Sequence, residues 1–500
     1  MLFDSLPFIL FLPIILVMFW AIPHKYRWML LLVASYFFYG SWRAEFLILI
    51  VYSTCVDYLA AIQIDKAKDL LKKRIWLSLS LLSNFGVLFI FKYFNFFIGE
   101  RWFFKEFEAA HPKIEWMANI LDYGIPVGIS FYTFQTVGYT IDVYRGTAKP
   151  ERNLGKFALF VSYFPQLVAG PIERFSNLHH QIFAKRQLNY ELIQNGFRLI
   201  LYGLFIKMVI ADNIAPLIDP VFDNPLSYDQ SSNIYALLLF SLQIYADFHG
   251  YSLIAIGVAK LMGVNLMDNF RTPYFAFSIK DFWSRWHRSL SNWFRDYLYI
   301  PLGGNKVSYF RWMINIMIVF VVSGVWHGAN FTFIVWGGIH GVMYLAEQLV
   351  SRSTSVNWSS PFFKVVGWLK TFFIINLAWL FFRSDNLAKA YLSLCKMFGF
   401  EVDANRYHSV VALEHSKLHD GIEAQLIQPL AQANQLDAKW YFILPLLLLI
   451  VIDLVIQQKR FDAVIGQANF GVRWLVYACL IYFIMAMSGA NFYQFIYFQF

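Results

Sequence analysis

The sequence predicts an all-α polytopic membrane protein, and its composition and the length of its apolar runs are the main evidence. Hydrophobic residues make up 58% of the 500-residue chain, aromatic residues 20% and charged residues only 15%, which is far from the composition of soluble globular proteins. The apolar stretches are long rather than alternating. This pattern favours helices of about twenty residues that cross a hydrocarbon core roughly 30 Å thick.

Candidate spans follow one another along the whole chain. They lie near residues 3–22, 28–42, 45–62, 75–98, 121–143, 156–171, 192–212, 233–263, 312–330, 331–350, 364–382, 441–456 and 472–488. The second is short, and glycine and proline break several others, so we expect about eleven to thirteen membrane segments with some re-entrant elements. Without an internal repeat or a low-complexity tract, a single membrane domain over residues 1–500 is the simplest organisation.

Clusters of lysine and arginine predict the orientation of the chain. They occur near residues 25–27, 66–74 and 145–156, separated each time by two candidate spans, and such an excess marks the cytoplasmic side. We therefore expect an extracytoplasmic N-terminus. With the basic turn 459–460 also cytoplasmic, the C-terminus is expected outside too, and the mixed-charge segment near 400–440 becomes an extracytoplasmic insertion. The first residues lack the positive region of a cleavable signal, so we expect the first span to be retained.

Metal binding, disulfide bonding and nucleic-acid binding are not supported by the sequence. The cysteines are scattered and show neither ligand spacing nor pairing: Cys55, Cys395 and Cys479. The formal charge of +9 is weak evidence for a nucleic-acid partner, because membrane topology alone accounts for basic cytoplasmic loops. We therefore expect no metal site and no nucleic-acid partner.

The most informative motif is Val325-Trp-His-Gly328, which places a titratable imidazole inside a long apolar run. His340 follows thirteen positions after His327, so one hydrophobic hairpin carries two histidines. Ionisable side chains at membrane depth are costly, usually face a cavity and indicate a functional site. The alternative is a buried histidine that packs between helices and hydrogen-bonds to a carbonyl group, and we expect that role for His340.

A second motif, residues 281–305, interleaves arginine with tryptophan around His287. Its arginines and tryptophans are Arg285, Arg288, Arg295, Trp283, Trp286 and Trp293. A simple interfacial helix explains most of this pattern, because indoles anchor at the membrane surface while guanidinium groups meet phosphates. It does not explain a histidine in the middle of the segment.

Two apolar segments contain helix-breaking residues and predict irregular backbone inside the membrane. Glycine and proline alternate in residues 123–132, and they interrupt the next run at 165–171. Such backbone is tolerated at membrane depth where it is buried in protein or lines a wet cavity. A cavity or tunnel is therefore expected, and ordinary proline kinks are the alternative.

These motifs together resemble a known family. The segment from Phe282 to Asn305, followed by the segment from Val325 to Gly341, resembles the membrane-bound O-acyltransferase (MBOAT) superfamily. More narrowly, the sequence is similar to the bacterial alginate O-acetylation branch. Shorter matches extend the resemblance over nearly the whole chain, at residues 123–132, 141–146, 169–172 and 495–500.

One motif departs from that branch. The branch commonly reads Asp-Phe-Ser-Gly-Tyr-Ser-Asp, whereas this chain has His249 in place of the serine and Leu253 in place of the second aspartate. A role for that second acid therefore does not transfer to this chain. The segment near 400–440 also varies in such proteins, so the acceptor polysaccharide stays open.

The resemblance implies an MBOAT-type helical bundle with a central tunnel, located in the bacterial cytoplasmic (inner) membrane and surrounded by lipid. It implies that an acyl thioester donor, acetyl-CoA or an acyl carrier, enters from the cytoplasm as a substrate, with no tightly bound cofactor. The acyl group, expected to be acetyl, would leave on the other side for O-acylation of an exopolysaccharide. A secreted or periplasmic acyltransferase is the expected partner.

Chemistry assigns roles to individual residues. A thioester is already activated, so the enzyme must add a base for the acceptor hydroxyl and donors for the developing oxyanion. We assign His327 as the base and His287 as the partner that orients it or handles its proton. Asn330, one helical turn on, is a candidate polar neighbour of the base and the donor. The phosphates of the donor are expected to bind a basic face made of Arg285, Arg288 and Arg295.

Three alternatives stay open at this point. The bundle could be a channel or polysaccharide exporter without catalysis, although no repeat-related pair of broken segments is apparent. It could be a non-catalytic membrane partner of a secreted transferase. Within the enzyme class, D-alanyl transfer to teichoic acid is the alternative reaction, because that branch shares the histidine motifs.

The C-terminal segment 492–500 is unusually aromatic for a chain end. Exposed aromatic tails invite aggregation, and termini fray unless they are held by the fold. If the segment folds back into the outer funnel, the hydroxyl of Tyr497 is a candidate acyl relay, since tyrosine forms covalent intermediates when an adjacent base activates it. The alternative is that these aromatic residues only anchor the bundle at the interface.

Overall fold

The computed structural model describes residues 1–94, 126–168, 170–353, 360–400, 442–488 and 495–496, and every regular element in these ranges is a helix. The first helices are α1 (Leu6–Ala21), α2 (His24–Gly40), α3 (Leu47–Lys66), α4 (Leu70–Leu88), α5 (Ile129–Arg145), α6 (Leu154–Ser162), α7 (Phe164–Leu167), α8 (Phe175–Phe183), α9 (Tyr190–Leu204) and α10 (Asp212–Asp223). The later ones are α11 (Gln230–Leu261), α12 (Ile279–Arg285), α13 (Arg288–Phe294), α14 (Tyr309–His327), α15 (Phe331–Ser353), α16 (Pro361–Arg383), α17 (Leu387–Met397), α18 (Ile443–Ile456), α19 (Phe461–Gln467) and α20 (Phe470–Met487). The predicted all-α class is confirmed.

Seven helices in the described ranges are long and apolar enough to cross a membrane. Counted with their 3-10 and π extensions, they span residues 44–66, 70–93, 190–223, 309–327, 331–353, 361–383 and 470–487. Helices α1 and α18 are also apolar but shorter. The protein is therefore a multi-pass membrane protein, as the composition predicted. The larger expected total, which included shorter and less apolar stretches, stays a prediction, as does a continuous tunnel.

Helix α11 forms the centre of the bundle. It is 32 residues long, and all residues from Gln243 to its end are buried. Glycines allow it to pack closely against α9. A Cβ atom added to Gly203 would lie 2.7 Å from the carbonyl oxygen of Gly250, and one added to Gly257 would lie 2.7 Å from that of Gly196. These contacts are too short for any larger residue, so the two antiparallel helices meet backbone to backbone.

Helices α14 and α15 form the hairpin that carries the two histidines predicted from the apolar run. Their backbones also meet at glycines. A Cβ atom on Gly324 would lie 2.2 Å from the carbonyl oxygen of Phe333, and one on Gly337 would lie 2.3 Å from that of Phe320. The sequence places glycine where these backbones cross. The close contact fixes the position of His327 along the axis of α15.

The two segments with predicted helix breakers are irregular and contact each other. The candidate span 156–171 is not one helix, because the chain turns at Tyr163 between α6 and α7. Helix α5 begins after Gly128, whose φ of 75° is left-handed. A Cβ atom at that position would lie 2.7 Å from the carbonyl oxygen of Leu167. Glycine is required there for both its conformation and the close contact.

Two predictions fall on parts of the chain that the structure does not describe. Residues 401–441, and with them nearly all of the expected insertion, lie outside the described ranges. Tyr497 does as well.

Candidate active site

His327 is the last residue of α14 and is buried inside the bundle. Aromatic rings surround its imidazole, with centroid distances of 4.9 Å to Trp326, 5.0 Å to Trp336 and 5.2 Å to Phe382. The carbonyl groups of Trp326 and His327 accept hydrogen bonds from the Lys92 ammonium group at 2.7 and 2.8 Å. A cation at a helix C-terminus satisfies carbonyl groups that the helix leaves open and complements its dipole. Lys92 therefore holds the end of the helix from which His327 projects.

His287 is completely buried and lies between α12 and α13 in a left-handed conformation, with φ 40° and ψ 52°. A non-glycine residue in this region costs on the order of 1–3 kcal/mol, and such strain is concentrated at functional sites. Its neighbours fix the backbone. The Trp286 N–H donates to the Phe282 carbonyl at 2.8 Å, and the Arg288 N–H donates to the Asn269 carbonyl at 3.0 Å.

The structure brings the two predicted histidines together around Trp326. The centroid of its indole lies 6.0 Å from the imidazole of His287 and 4.9 Å from that of His327. Phe131 and Phe248 complete the wall around His287, at 6.3 and 4.7 Å. The two buried imidazoles are thus enclosed mainly by aromatic rings, and we call this region the histidine chamber. Their catalytic roles remain predictions.

His340 is buried one layer away from this chamber. Its Nδ1 accepts a hydrogen bond from the indole N–H of Trp283 at 3.2 Å. Its ring stacks between those of Phe282 and Phe320, both at 6.2 Å. These contacts fit the packing role expected for this residue.

The three arginines predicted to bind the donor do not share one set of contacts. Each guanidinium group engages a different aspartate: Arg285 with Asp281 at 2.8 Å, Arg288 with Asp268 at 4.0 Å, and Arg295 with Asp296 at 2.7 Å. The side chain of Arg295 is 58% exposed, whereas that of Arg285 is 11% exposed. The contacts therefore do not support the single basic face that their spacing suggested.

Asn330 acts as a helix cap in this structure. Its Oδ1 accepts a hydrogen bond from the Thr332 N–H at 3.0 Å, at the start of α15, and its amide donates to the carbonyl group of Asp385. One polar end of the side chain thus caps α15, and the other binds the segment between α16 and α17. The expected contact with the base or the donor is not among them.

A small pocket with a volume of about 20 Å³, partly open to solvent, lies beside the histidine chamber. The loop after α11 and the turn between α18 and α19 form its sides, and His249 of α11 contributes to its lining. The basic residues of the lining are Arg271, Lys459 and Arg460. Sequence reasoning used Lys459 and Arg460 for topology only and did not find this pocket, because its walls come from segments almost 200 positions apart.

One layer of side chains separates the pocket from His287. Asn269 belongs to the lining, and its Oδ1 accepts a hydrogen bond from the Ser289 hydroxyl at 2.6 Å. Phe270, also in the lining, lies 4.9 Å from both Phe248 and Trp286. The pocket therefore approaches the chamber from the side of the basic loops.

Backbone strain marks the same region. In the described ranges, the non-glycine residues with positive φ are Thr272, His287 and Gln457. Thr272 and Gln457 both line the pocket, and the Thr272 hydroxyl donates to the Gln457 carbonyl at 2.6 Å. Strain of this kind persists only where surrounding contacts enforce it, and its clustering indicates a functional site.

Ion pairs hold basic side chains in place at the edge of the pocket. Asp462 accepts from Lys260 at 2.5 Å and from Arg460 at 2.8 Å, and Arg460 also lies 3.5 Å from Asp268. Burial raises the pKa of Asp462, but hydrogen bonds and charge from Arg460 and Lys260 outweigh burial and hold that pKa below its ordinary value. The carboxylate therefore stays ionised near neutral pH and anchors both cations.

Comparison with known proteins assigns the family. The family model described as MBOAT, membrane-bound O-acyltransferase family, matches residues 151–386, a range that contains both chamber histidines. A probable alginate O-acetylase AlgI of Pseudomonas aeruginosa is 40% identical over 404 residues, which cover 80% of this chain and 75% of that protein. The chain belongs to the membrane-bound O-acyltransferase family. The predicted family and enzyme class are thereby confirmed.

Other membrane-bound O-acyltransferases are similar to this one over different lengths. A peptidoglycan O-acetyltransferase of Helicobacter pylori is 37% identical over 398 residues, covering 74% of this chain and 73% of that protein. A teichoic acid D-alanyltransferase of Streptococcus thermophilus is 30% identical over 266 residues, covering 50% of this chain and 62% of that protein. Membership of this family makes the chain an O-acyltransferase.

Proposed function

We propose that this O-acyltransferase takes an acyl group, acetyl in the simplest case, from a cytoplasmic thioester and delivers it across the membrane for O-acylation of an extracytoplasmic polysaccharide. The observation that carries the proposal is the arrangement of His287 and His327 around Trp326, one side-chain layer from a basic pocket. The O-acetyltransferase relatives match a larger share of the chain than the teichoic acid D-alanyltransferase does. This difference favours acetyl over D-alanyl transfer.

His327 serves as the general base. Its imidazole takes the proton of an acceptor hydroxyl while the hydroxyl oxygen attacks the thioester carbonyl carbon. The tetrahedral intermediate collapses with cleavage of the carbon–sulfur bond, and the proton passes from the imidazolium to the departing thiolate. The products are an ester and a free thiol, so protons balance. His287 orients the reacting groups or shares the proton, and a positioned base of this type contributes about 10² to 10⁴ in rate.

Indole groups next to the base are suited to stabilise the oxyanion. The Nε1 atoms of Trp326 and Trp336 are buried and have no hydrogen-bond acceptor among the described residues. Both rings lie within 5.0 Å of the His327 ring, measured between centroids. A buried N–H without an acceptor is costly, and a donor aimed at the developing charge in a dry site is worth about 10² to 10³ in kcat.

The basic pocket is the proposed entrance for the donor. Coenzyme A and the phosphopantetheine arm of an acyl carrier both carry phosphate, which Arg271, Lys459 and Arg460 would bind through charge-assisted hydrogen bonds. Because Arg271 and Arg460 also pair with aspartates, the face of Arg285, Arg288 and Arg295 stays an alternative to this pocket. Arg288 keeps a part in it through Asp268, which belongs to the pocket lining.

The remaining parts of the proposal concern sidedness and partners. Under the topology predicted from the basic loops, the pocket faces the cytoplasm of a bacterial inner membrane and both chain ends lie outside. The acyl group then passes to a polysaccharide either directly or through a secreted or periplasmic acyltransferase. Tyr497 stays a candidate relay for that step, and replacement by phenylalanine is its test.

The direct test uses the purified protein in liposomes with acetyl-CoA and a polysaccharide or oligosaccharide acceptor. Release of free thiol and acetylation of the acceptor are measured together, and an equivalent D-alanyl carrier thioester replaces acetyl-CoA in a second arm. We expect thiol release that depends on acceptor, with acetyl preferred. Faster turnover of the D-alanyl donor would show that the enzyme prefers D-alanyl transfer. Absence of thiol release with either donor would contradict the proposal that the donor is a thioester.

A further inference from the structure

A buried ionic cluster in the centre of the bundle is not used by the mechanism above. Lys207 lies in the π-helical stretch Phe205–Ala211 between α9 and α10. Its ammonium group pairs with Asp212 at 2.6 Å and with Asp247 of α11 at 2.8 Å. The side chains of Lys207 and Asp247 are 2% and 4% exposed. Burying such a group of charges is costly, and removing one partner leaves the others uncompensated.

The two carboxylates of this cluster differ in one contact. The second oxygen of Asp247 accepts a hydrogen bond from the backbone N–H of Ile496 at 2.6 Å. Phe495 and Ile496 are only 1% and 3% exposed. Residues near a chain end are usually poorly ordered unless they are held by the fold. Here a charge-assisted hydrogen bond to the centre of α11 holds them.

The anchored residues reach the active-site chamber through one aromatic ring. Phe495 lies 4.7 Å from Tyr251 and 5.7 Å from Phe248, measured between ring centroids. Phe248 in turn meets the imidazole of His287 edge-on at 4.7 Å. Phe248 therefore contacts both His287 and Phe495.

We propose that Asp247 is a positioning residue for acyl transfer. Lys207 holds the Asp247 carboxylate, which in turn fixes the backbone of Ile496. The neighbouring Phe495 is thereby held against Phe248. Phe248 then restricts the position of the His287 ring. Phe495 and Ile496 thus support the wall of the catalytic chamber from behind Phe248. The inference deepens the proposed function and rests on it where it concerns catalysis, whereas the anchor itself is independent of which reaction the enzyme performs.

The chain offers a matched pair of substitutions at the donor end of the anchor. Ile496→Pro removes the backbone N–H and leaves the Asp247–Lys207 pair intact, because proline has no such donor. Ile496→Val keeps the N–H and most of the side chain. We expect Ile496→Pro to lower kcat about tenfold or more with little change in the donor KM, because the positioned group and not the donor pocket is disturbed. Ile496→Val should remain within about twofold of the parent protein.

A second matched pair acts at the acceptor end. Asp247→Ala and Asp212→Ala each remove one carboxylate from Lys207, but only Asp247→Ala removes the acceptor for Ile496. Asp247→Asn keeps an acceptor oxygen and serves as the conservative rescue. We expect the order of kcat to be parent, Asp212→Ala and Asp247→Asn, then Asp247→Ala.

Protection of the chain end provides a readout that does not depend on activity. The full-length protein in detergent micelles is treated with a carboxypeptidase, and the intact mass shows where digestion stops. We expect digestion of the parent to stop before Ile496 is removed, and digestion of Asp247→Ala and Ile496→Pro to pass this point. Thermal unfolding of each variant shows that the bundle is still folded.

The outcomes separate the anchor from the reaction. If Asp247→Ala and Ile496→Pro keep the protected end, the anchor is wrong whatever their activity. If both release the end but kcat stays at the parent value, the anchor exists and the positioning role is wrong. If the parent protein shows no thioester chemistry, the proposed function fails, while the digestion pattern still decides the anchor.

Discussion

The crossing of α14 and α15 gives a sharp prediction, because two adjacent glycines in α15 differ completely in their surroundings. A Cβ atom at Gly337 would lie 2.3 Å from the Phe320 carbonyl oxygen and 3.0 Å from its carbonyl carbon, whereas one at Gly338 would meet nothing within 4 Å. Gly337→Ala therefore has to push the two helices apart, and Gly338→Ala does not. The two variants carry the same change in composition and in helix propensity.

The size of the effect follows from this geometry. A carbon–oxygen contact relaxes near roughly 3.3 Å, so the backbones must separate by about 1 Å at Gly337. Overpacking of this kind costs about 1–3 kcal/mol in stability. His327 lies on the same hairpin, and a displacement of about 1 Å at a catalytic group costs about 10²-fold in rate. Gly338→Ala should be neutral or stabilising by up to about 1 kcal/mol.

Both effects are measured on the same preparations. Thermal unfolding in detergent reports stability, and acyl transfer from the thioester donor reports kcat. We expect Gly337→Ala to have a lower Tm than the parent and to lose most of its kcat. Gly338→Ala should keep the parental kcat and have a Tm equal to or slightly above that of the parent. Equal behaviour of the two variants would show that the close crossing of α14 and α15 does not set the geometry of the site.

Three further predictions concern the partner histidine, the pocket and the central helix. His287→Ala should lower kcat by less than loss of His327 does, because water partly replaces an orienting group, and an effect on Tm alone would leave only a structural role. Lys459→Ala should raise the donor KM several-fold with kcat retained, since an exposed charge contributes ground-state binding; a defect in kcat alone would exclude it from the donor site. Gly203→Ala should lower Tm because its Cβ would lie 2.7 Å from a carbonyl oxygen of α11, whereas Gly86→Ala, with nothing within 4 Å, should not. Equal Tm values for the last two variants would contradict the close packing of α9 on α11.

Much of the fold was predictable because membrane-spanning helices are recognisable from their length and apolar composition. The break at Tyr163 between α6 and α7 was expected from Pro165 and its neighbours, and the irregular start of α5 from Gly128. Their mutual contact was not predictable, since nothing local in the sequence says that Gly128 meets the carbonyl group of Leu167.

The site was predictable where a residue is unusual for its surroundings. His327 and His287 stand out because imidazoles are rare in apolar or interfacial helices, and the structure places both against Trp326. The capping role of Asn330 was not predicted, because only its distance from His327 along the chain was considered. An asparagine immediately before a helix that begins at Phe331 is a typical N-cap, and that signal was available.

The basic pocket was missed because its residues are individually ordinary. Arg271 follows α11 and Arg460 follows α18, and only the fold brings them together. The spacing of Arg285, Arg288 and Arg295 suggested a shared face, yet their local aspartates already offered partners. Asp281 precedes Arg285 by one helical turn, a spacing at which opposite charges pair.

The central claim is that His327 is the base of a thioester-dependent O-acyltransferase. Its most direct test is the kcat of acyl transfer by purified His327→Ala, measured beside the parent protein with the same acceptor and donor. We predict a loss of about 10² to 10⁴ in kcat, while the donor KM and the Tm stay close to those of the parent. Acyl transfer at the parental rate by folded His327→Ala would contradict the account.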